Sequence, residues 1–164
     1  MNILEIIKKV ETSDDFIDIS ELYEDLFLAH VFIMLDGDKL MDTQVGYYNP
    51  DNSKMTSFVL SDDEIQCLPE TDVFQKPGTE IESVNKEHIS LEFDEIKKLA
   101  LGILSEKYKQ SPSKQIYILQ NVQSRQVWNV TFLTNGFSTI NVKIDSSSGE
   151  IVSHEEVNLV DFKK

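Results

Sequence analysis

The most regular apolar pattern in the chain runs over residues 91–109. Phe93, Ile96, Leu99, Ala100, Ile103, Leu104 and Tyr108 recur at the spacing of one helical face, which predicts an amphipathic helix. Ser90 is placed to cap its start. Glu92, Asp94 and Glu95 suit the positive end, Lys107 and Lys109 the negative end, and Pro112 blocks continuation. Beyond it the period drops to two. Residues 115–121, 126–134, 137–145 and 150–158 are rich in β-branched and aromatic residues. Ser124-Arg125, Asn135-Gly136 and Ser146-Ser147-Ser148-Gly149 divide them as turns. In the second of these segments Trp128, Val130 and Phe132 alternate against Val127, Asn129, Thr131 and Leu133. Short connections force neighbouring strands antiparallel. The expected fold class is therefore α+β, a helix packed on an antiparallel β-meander.

The first half carries a weaker version of the same signals. Ile3, Ile6, Ile7 and Val10 make a short helical stripe, and 20–27 reads as a further helical turn or two. Residues 31–35, 44–48 and 55–60 read as strands, with Asp36-Gly37-Asp38 and Asn49-Pro50-Asp51-Asn52 as turns. The run 20–35 fits either helix or strand. Residues 68–78, with Pro69, Pro77 and Gly78, read as an extended connector. The division is thus an α+β half over 1–78 and a helix-plus-meander half over 79–164. A gapless offset of 85 residues lays 31–35 on 116–120, 44–48 on 129–133 and 55–59 on 140–144. Identities fall at Ile33/Ile118, Val45/Val130, Ser53/Ser138 and Ser61/Ser146. The hypothesis that follows is two tandem, related units.

Charge divides the same way. Of the net −14, residues 1–78 carry −12 and residues 79–164 carry −2. A field of that sign repels nucleic acid and anionic membranes and favours a basic protein partner. Direct DNA or RNA binding is excluded on this ground. The longest apolar run, 26–35, contains His30 and is far short of a membrane span, and residues 1–10 carry Glu5, Lys8 and Lys9 where a secretory segment would be apolar. A cytoplasmic location is expected. The lone Cys67 has no disulfide partner, and Asp62, Asp63, Glu64 and Glu70 around it would raise its pKa rather than activate it.

Residues 89–158 resemble a PepSY-type domain. The resemblance rests on three segments in order: Ile89-Ser90-Leu91-Glu92 opening a helix that runs through Glu95-Ile96-Lys97-Lys98-Leu99-Ala100, the strand Val127-Trp128-Asn129-Val130-Thr131-Phe132, and Val142-Lys143-Ile144-Asp145 followed by a small-residue turn ending in Gly149-Glu150-Ile151-Val152. It implies a helix-on-sheet module, cystatin-like in outline, that binds or restrains proteases without catalysing a reaction. Such domains commonly sit in secreted or membrane-anchored chains, a setting that differs from the cytoplasmic one expected for this sequence.

No catalytic motif was found. There is no G-x-G-x-x-G or G-K-[ST], and no serine sits in a G-x-S-x-G elbow. His30, His88 and His154 are widely separated, and Asp36-Gly37-Asp38 with Asp42 lacks the calcium-loop pattern because Leu40 and Met41 stand where an oxygen ligand and a glycine belong. No cofactor or metal is expected. Trp128 and Tyr47-Tyr48 have the chemistry of partner anchors, although core packing also explains them. Arg125 is expected in an exposed turn. The function expected is a non-enzymatic binding or regulatory module, meeting a basic partner through Asp62, Asp63 and Glu64 or the 11–25 stretch, with Trp128 as a further contact. The alternatives are a small-molecule binder or small hydrolase with a pocket on a curved sheet, and an acidic nucleic-acid mimic.

Overall fold

The computed structural model describes residues 1–73 and 78–158. The fold is α+β. Its helices are α1 (Ile3–Glu11), α2 (Asp14–Leu22) and α3 (Phe93–Ile103), the last continued by a π turn, Leu104–Tyr108. Its strands are β1 (Phe27–Asp36), β2 (Lys39–Asn49), β3 (Lys54–Ser61), β4 (Glu64–Cys67), β5 (Thr71–Asp72), β6 (Pro112–Val122), β7 (Arg125–Thr134), β8 (Ser138–Asp145) and β9 (Ile151–Asn158). All the described strands join one antiparallel sheet in the order β4-β3-β2-β1-β6-β7-β8-β9, with β5 also paired to β3.

That order is two meanders joined back to back. Each half sends helix before strands, and the first strands of the two halves, β1 and β6, pair antiparallel at the centre, with Phe32 opposite Ile118 and Ile33 opposite Tyr117. Between the halves, the described residues of 68–92 are mostly irregular, apart from β5 and a short 3-10 turn (Lys86–His88). Residues 74–77 of the expected connector lie outside the described residues.

The helices cover one face. Val31, Ile33, Leu35, Val45, Tyr47, Phe58, Tyr117, Leu119, Trp128, Val130, Phe132, Ile140, Val142 and Ile144 form the sheet's side of the core, met by Ile3, Ile7 and Val10 of α1 and by Phe93, Ile96 and Ala100 of α3. Aromatic rings carry much of the contact. Phe16 of α2 lies 4.7 Å from Tyr47, and Phe93 of α3 lies 4.9 Å from Tyr117 and 5.9 Å from Trp128. A chain of this length buries enough apolar surface this way to hold together without a disulfide.

Several expectations are corrected. The N-cap position of α3 is Glu92 and not Ser90; Glu92 makes no side-chain capping bond, and the backbone N–H of Ser90 donates to Ser146 O at 3.2 Å. In the first half the second helix lies at Asp14–Leu22, earlier than the 20–27 expected. Ser13 caps it by accepting from Phe16 N, and Tyr23 is already extended, so 27–35 is strand. Strand β4 had no apolar signal to announce it. It forms because Asp62, at φ 52°, turns the chain back onto β3.

The offset of 85 residues does not preserve the faces of the sheet. Side chains alternate with period two, so an odd offset conserves burial only where the inward positions have opposite parity in the two strands. It does so for β2 and β7, where Val45 and Tyr47 fall on Val130 and Phe132, all buried. On β1 and β6 it lays buried Val31 and Ile33 on Ile116 and Ile118, which are half-buried on the opposite face.

Candidate functional site

The three segments that carry the sequence resemblance meet at one corner of the second half. Asp145, at the end of β8, accepts from Ser147 N, Ser147 Oγ and Ser148 N at 2.8–3.0 Å, which folds 145–149 into a tight turn. Gly149 closes it at φ +78°, and a side chain there would meet Leu91 and Leu99 of the helix segment. Ser146 is wholly buried and donates through Oγ to His88 O at 2.8 Å. Arg125 opens β7 and bridges Asp145 (Nε to Oδ2, 3.0 Å) and Glu150 (Nη2 to Oε2, 2.9 Å). Burial alone would raise the Asp145 pKa. The Ser148 and Ser147 donors and the Arg125 guanidinium outweigh it and hold the carboxyl well below its usual range. The corner therefore fixes where α3 sits over the sheet.

Among the described residues the flank of α3 is left uncovered. Two helices cover the first half and α2 closes it, with Phe16 against Tyr47 and Phe58. The described second half has α3 with its π turn. Leu99, Gly102 and Ile103 of α3 and Ile151 of β9, with Glu95, Lys98 and Glu106 around them, line a surface hollow of about 680 Å³. Its floor is mostly apolar, and Leu99 is 39 % exposed. Alongside it runs β9, which pairs with β8 on one side and with no described strand on the other. At the far end Tyr108 and His154 fasten the π turn to β9, hydroxyl to Nδ1 at 2.6 Å, with the rings edge to face.

A second hollow, about 710 Å³, lies between 78–82 and the β6–β7 turn. Its lining is more polar, and it borders residues outside the described set.

Of the residues singled out from sequence, Trp128 is corrected. It lies at the centre of the core with no exposed surface, because position 128 faces α3, so it offers no contact to a partner. Asp62, Asp63 and Glu64 do lie together, exposed at the β3–β4 turn. They border a smaller hollow of about 260 Å³ with Lys9, Thr12, Leu60 and Ile65. Tyr47 and Tyr48 are buried. The Cys67 thiol is pushed up, by burial first and then by Asp15 and Glu70. His30 lies on the open face of β1, His88 in the 3-10 turn and His154 on β9. Among the described residues no group of three or more His, Cys, Asp or Glu is placed to hold a metal ion. Sequence reasoning missed the α3–β9 hollow. The one signal was Gly102, a glycine on the outer face of a helix.

No family model and no curated protein matches the sequence. The fold is similar to a crystal structure from Clostridium difficile 630 described as a "putative lipoprotein", with a TM-score of 0.56 over 88 % of this chain and 91 % of that one. The two share 11 % identity, so the likeness is one of fold. Among the described residues, no helix is long and apolar enough to cross a membrane.

Proposed function

We propose that this chain is a non-catalytic protein-binding module of PepSY-like type, and that it engages its partner at the hollow between α3 and β9. The observation that carries the reading is the pairing of an apolar hollow with the edge of β9 over Ile151–Val157, which meets no further strand among the described residues. Surfaces of that kind recognise peptides through backbone hydrogen bonds and side-chain pockets together. The corner built from Asp145, Arg125 and Ser146 lends support, since it holds both walls of the hollow in a fixed relation. Glu95 and Glu106 at the rim of the hollow, in a chain of net charge −14, favour a basic partner over nucleic acid or an anionic membrane.

The test is amine-directed cross-linking of the full chain in its native lysate, read by mass spectrometry, with Gly102→Lys alongside. Position 102 has open space around it, so the substitution fills the hollow without disturbing the core. The expected result is a partner cross-linked through Lys98 or Lys107 and lost in the variant. A partner retained equally by the variant, or cross-linked only near Asp62 and Asp63, would overturn this site.

A further inference from the structure

We infer that the hollow takes an extended, basic segment of a partner protein, added to the sheet as a new strand beside β9. The inference rests on the binding-module reading and specifies the chemistry of the partner.

Three features combine. First, β9 runs from Ile151 to Asn158, and its stretch Ile151–Val157 borders no further strand among the described residues. An edge strand presents unpaired N–H and C=O groups that a further strand can satisfy. Second, the helix side of that edge is apolar where α3 overhangs it. Ile151 pairs with Ile144 and so faces the helix layer, joining Leu99 and Ile103. A strand laid beside β9 would bring alternate side chains under this overhang and the others to the open face. Gly102 leaves the room for them.

Third, charge selects the occupant. Residues 150–158 contain Glu150, Glu155 and Glu156 and no lysine or arginine. Glu150 is already matched by Arg125. Glu155 and Glu156 are exposed, Glu155 opposite Asn141 on the open face and Glu156 opposite Ile140 on the helix face. Glu95 and Glu106 rim the hollow against the single Lys98. Both faces of an added strand would therefore meet carboxylates. A second copy of β9 would set Glu155 and Glu156 against their own kind, and like charges on neighbouring strands are destabilising. The same carboxylates thus disfavour self-association and favour a strand that alternates apolar residues with lysine or arginine.

The experiment uses the full chain and three synthetic decapeptides. One alternates valine with lysine, one alternates valine with glutamate, and the third is the lysine peptide N-methylated at alternate backbone amides on the edge that would pair with β9. Binding is read by fluorescence anisotropy at low and moderate salt, and the site by amide hydrogen exchange. The lysine peptide should bind and slow exchange along 151–158. The glutamate and N-methylated peptides should each bind at least tenfold more weakly. Gly102→Lys and Glu155→Lys/Glu156→Lys should each weaken the lysine peptide at least tenfold, with urea midpoints no lower than that of the wild type showing that the fold survives.

Equal binding of the methylated peptide would overturn strand addition while leaving a binding site at the hollow. Equal binding of the glutamate peptide would overturn the charge selection. No binding by any peptide would overturn the inference outright, and the cross-linking result would then judge the module reading by itself. A dimer in sedimentation that Gly102→Lys dissociates would also overturn it, by making a second copy the occupant.

Discussion

His30 of β1 and Gly46 of β2 stand opposite each other in the sheet, and the imidazole fills the space that any side chain at position 46 would need. Gly46 has no positive φ, so glycine is required here for room and not for conformation. A methyl group would press onto the ring at Cε1, so the His30 side chain would have to move aside. Gly46→Ala should therefore cost about 1–3 kcal/mol, the usual range for overpacking, measured as a shift in urea midpoint. In a His30→Ala background most of that cost should vanish, because the two sites share one volume. An additive double mutant would show that the strain lies elsewhere.

The same contact gives the protein a pH dependence. Burial lowers the pKa of His30 and favours its neutral form in the fold. The unfolded chain protonates this side chain near its ordinary value of about 6.5. Below that pH the unfolded state binds more protons than the native state. The contribution of His30 to stability is therefore present above about pH 6.5 and lost as pH falls towards and through the lowered native value. Wild type should lose stability on acidification from neutrality more steeply than His30→Gln. Parallel stability curves for the two proteins would show that His30 titrates alike in both states.

The second half was legible because its apolar positions follow one period at a time. The stripe from Phe93 to Leu104 and the alternation about Trp128 each point to a single answer, and all four strands of this half formed within three residues of the expected bounds. In the first half α2 is polar for most of its length, with Phe16, Ile17 and Ile19 its main apolar residues, so periodicity did not mark it and its cap at Ser13 went unread. The joining of the halves through β1 and β6 had no local signature, since 75 residues separate the two strands and their register depends on the whole sheet. The hollow was illegible for a related reason. Leu99 and Ile103 belong to the apolar stripe of α3, and only the position of the helix over β8 and β9 leaves them partly uncovered.

Two tyrosines on the core face allow a contrast between satisfied and unsatisfied hydroxyls. Tyr117 donates to Gln115 Oε1 at 2.7 Å, a buried bond, whereas the Tyr47 hydroxyl is buried without a partner among the described residues. Removing one member of a buried pair strands the other, while removing an unpaired group relieves a desolvation cost. Tyr117→Phe should destabilise by about 1–2 kcal/mol. Tyr47→Phe should be neutral or stabilising. Chemical denaturation of both variants decides this. A clear loss in Tyr47→Phe would mean that its hydroxyl has a partner the described residues do not include.

The turn at Asp145 provides the last prediction. Its carboxylate gathers three donors from Ser147 and Ser148 as well as the Arg125 guanidinium, and its side chain is only 15 % exposed. Asp145→Ala removes the charged acceptor of those donors at the corner that seats Leu91 and, on α3, Leu99, and should cost about 1–3 kcal/mol at neutral pH. Asp145→Asn keeps an acceptor for the turn amides and loses the ion pair, so it should cost less. Because the native pKa is held below the ordinary value of about 3.9, the carboxylate stabilises the fold above that value. Its contribution is lost as pH falls through the native pKa. The gap between wild type and Asp145→Asn should narrow in acid, measured by urea midpoints at neutral pH and near pH 3. Glu150, whose side chain is 67 % exposed, meets the same arginine in water. Glu150→Gln should shift the midpoint far less than Asp145→Ala. Equal effects would mean that the ion pairs, and not the turn amides, hold this corner together.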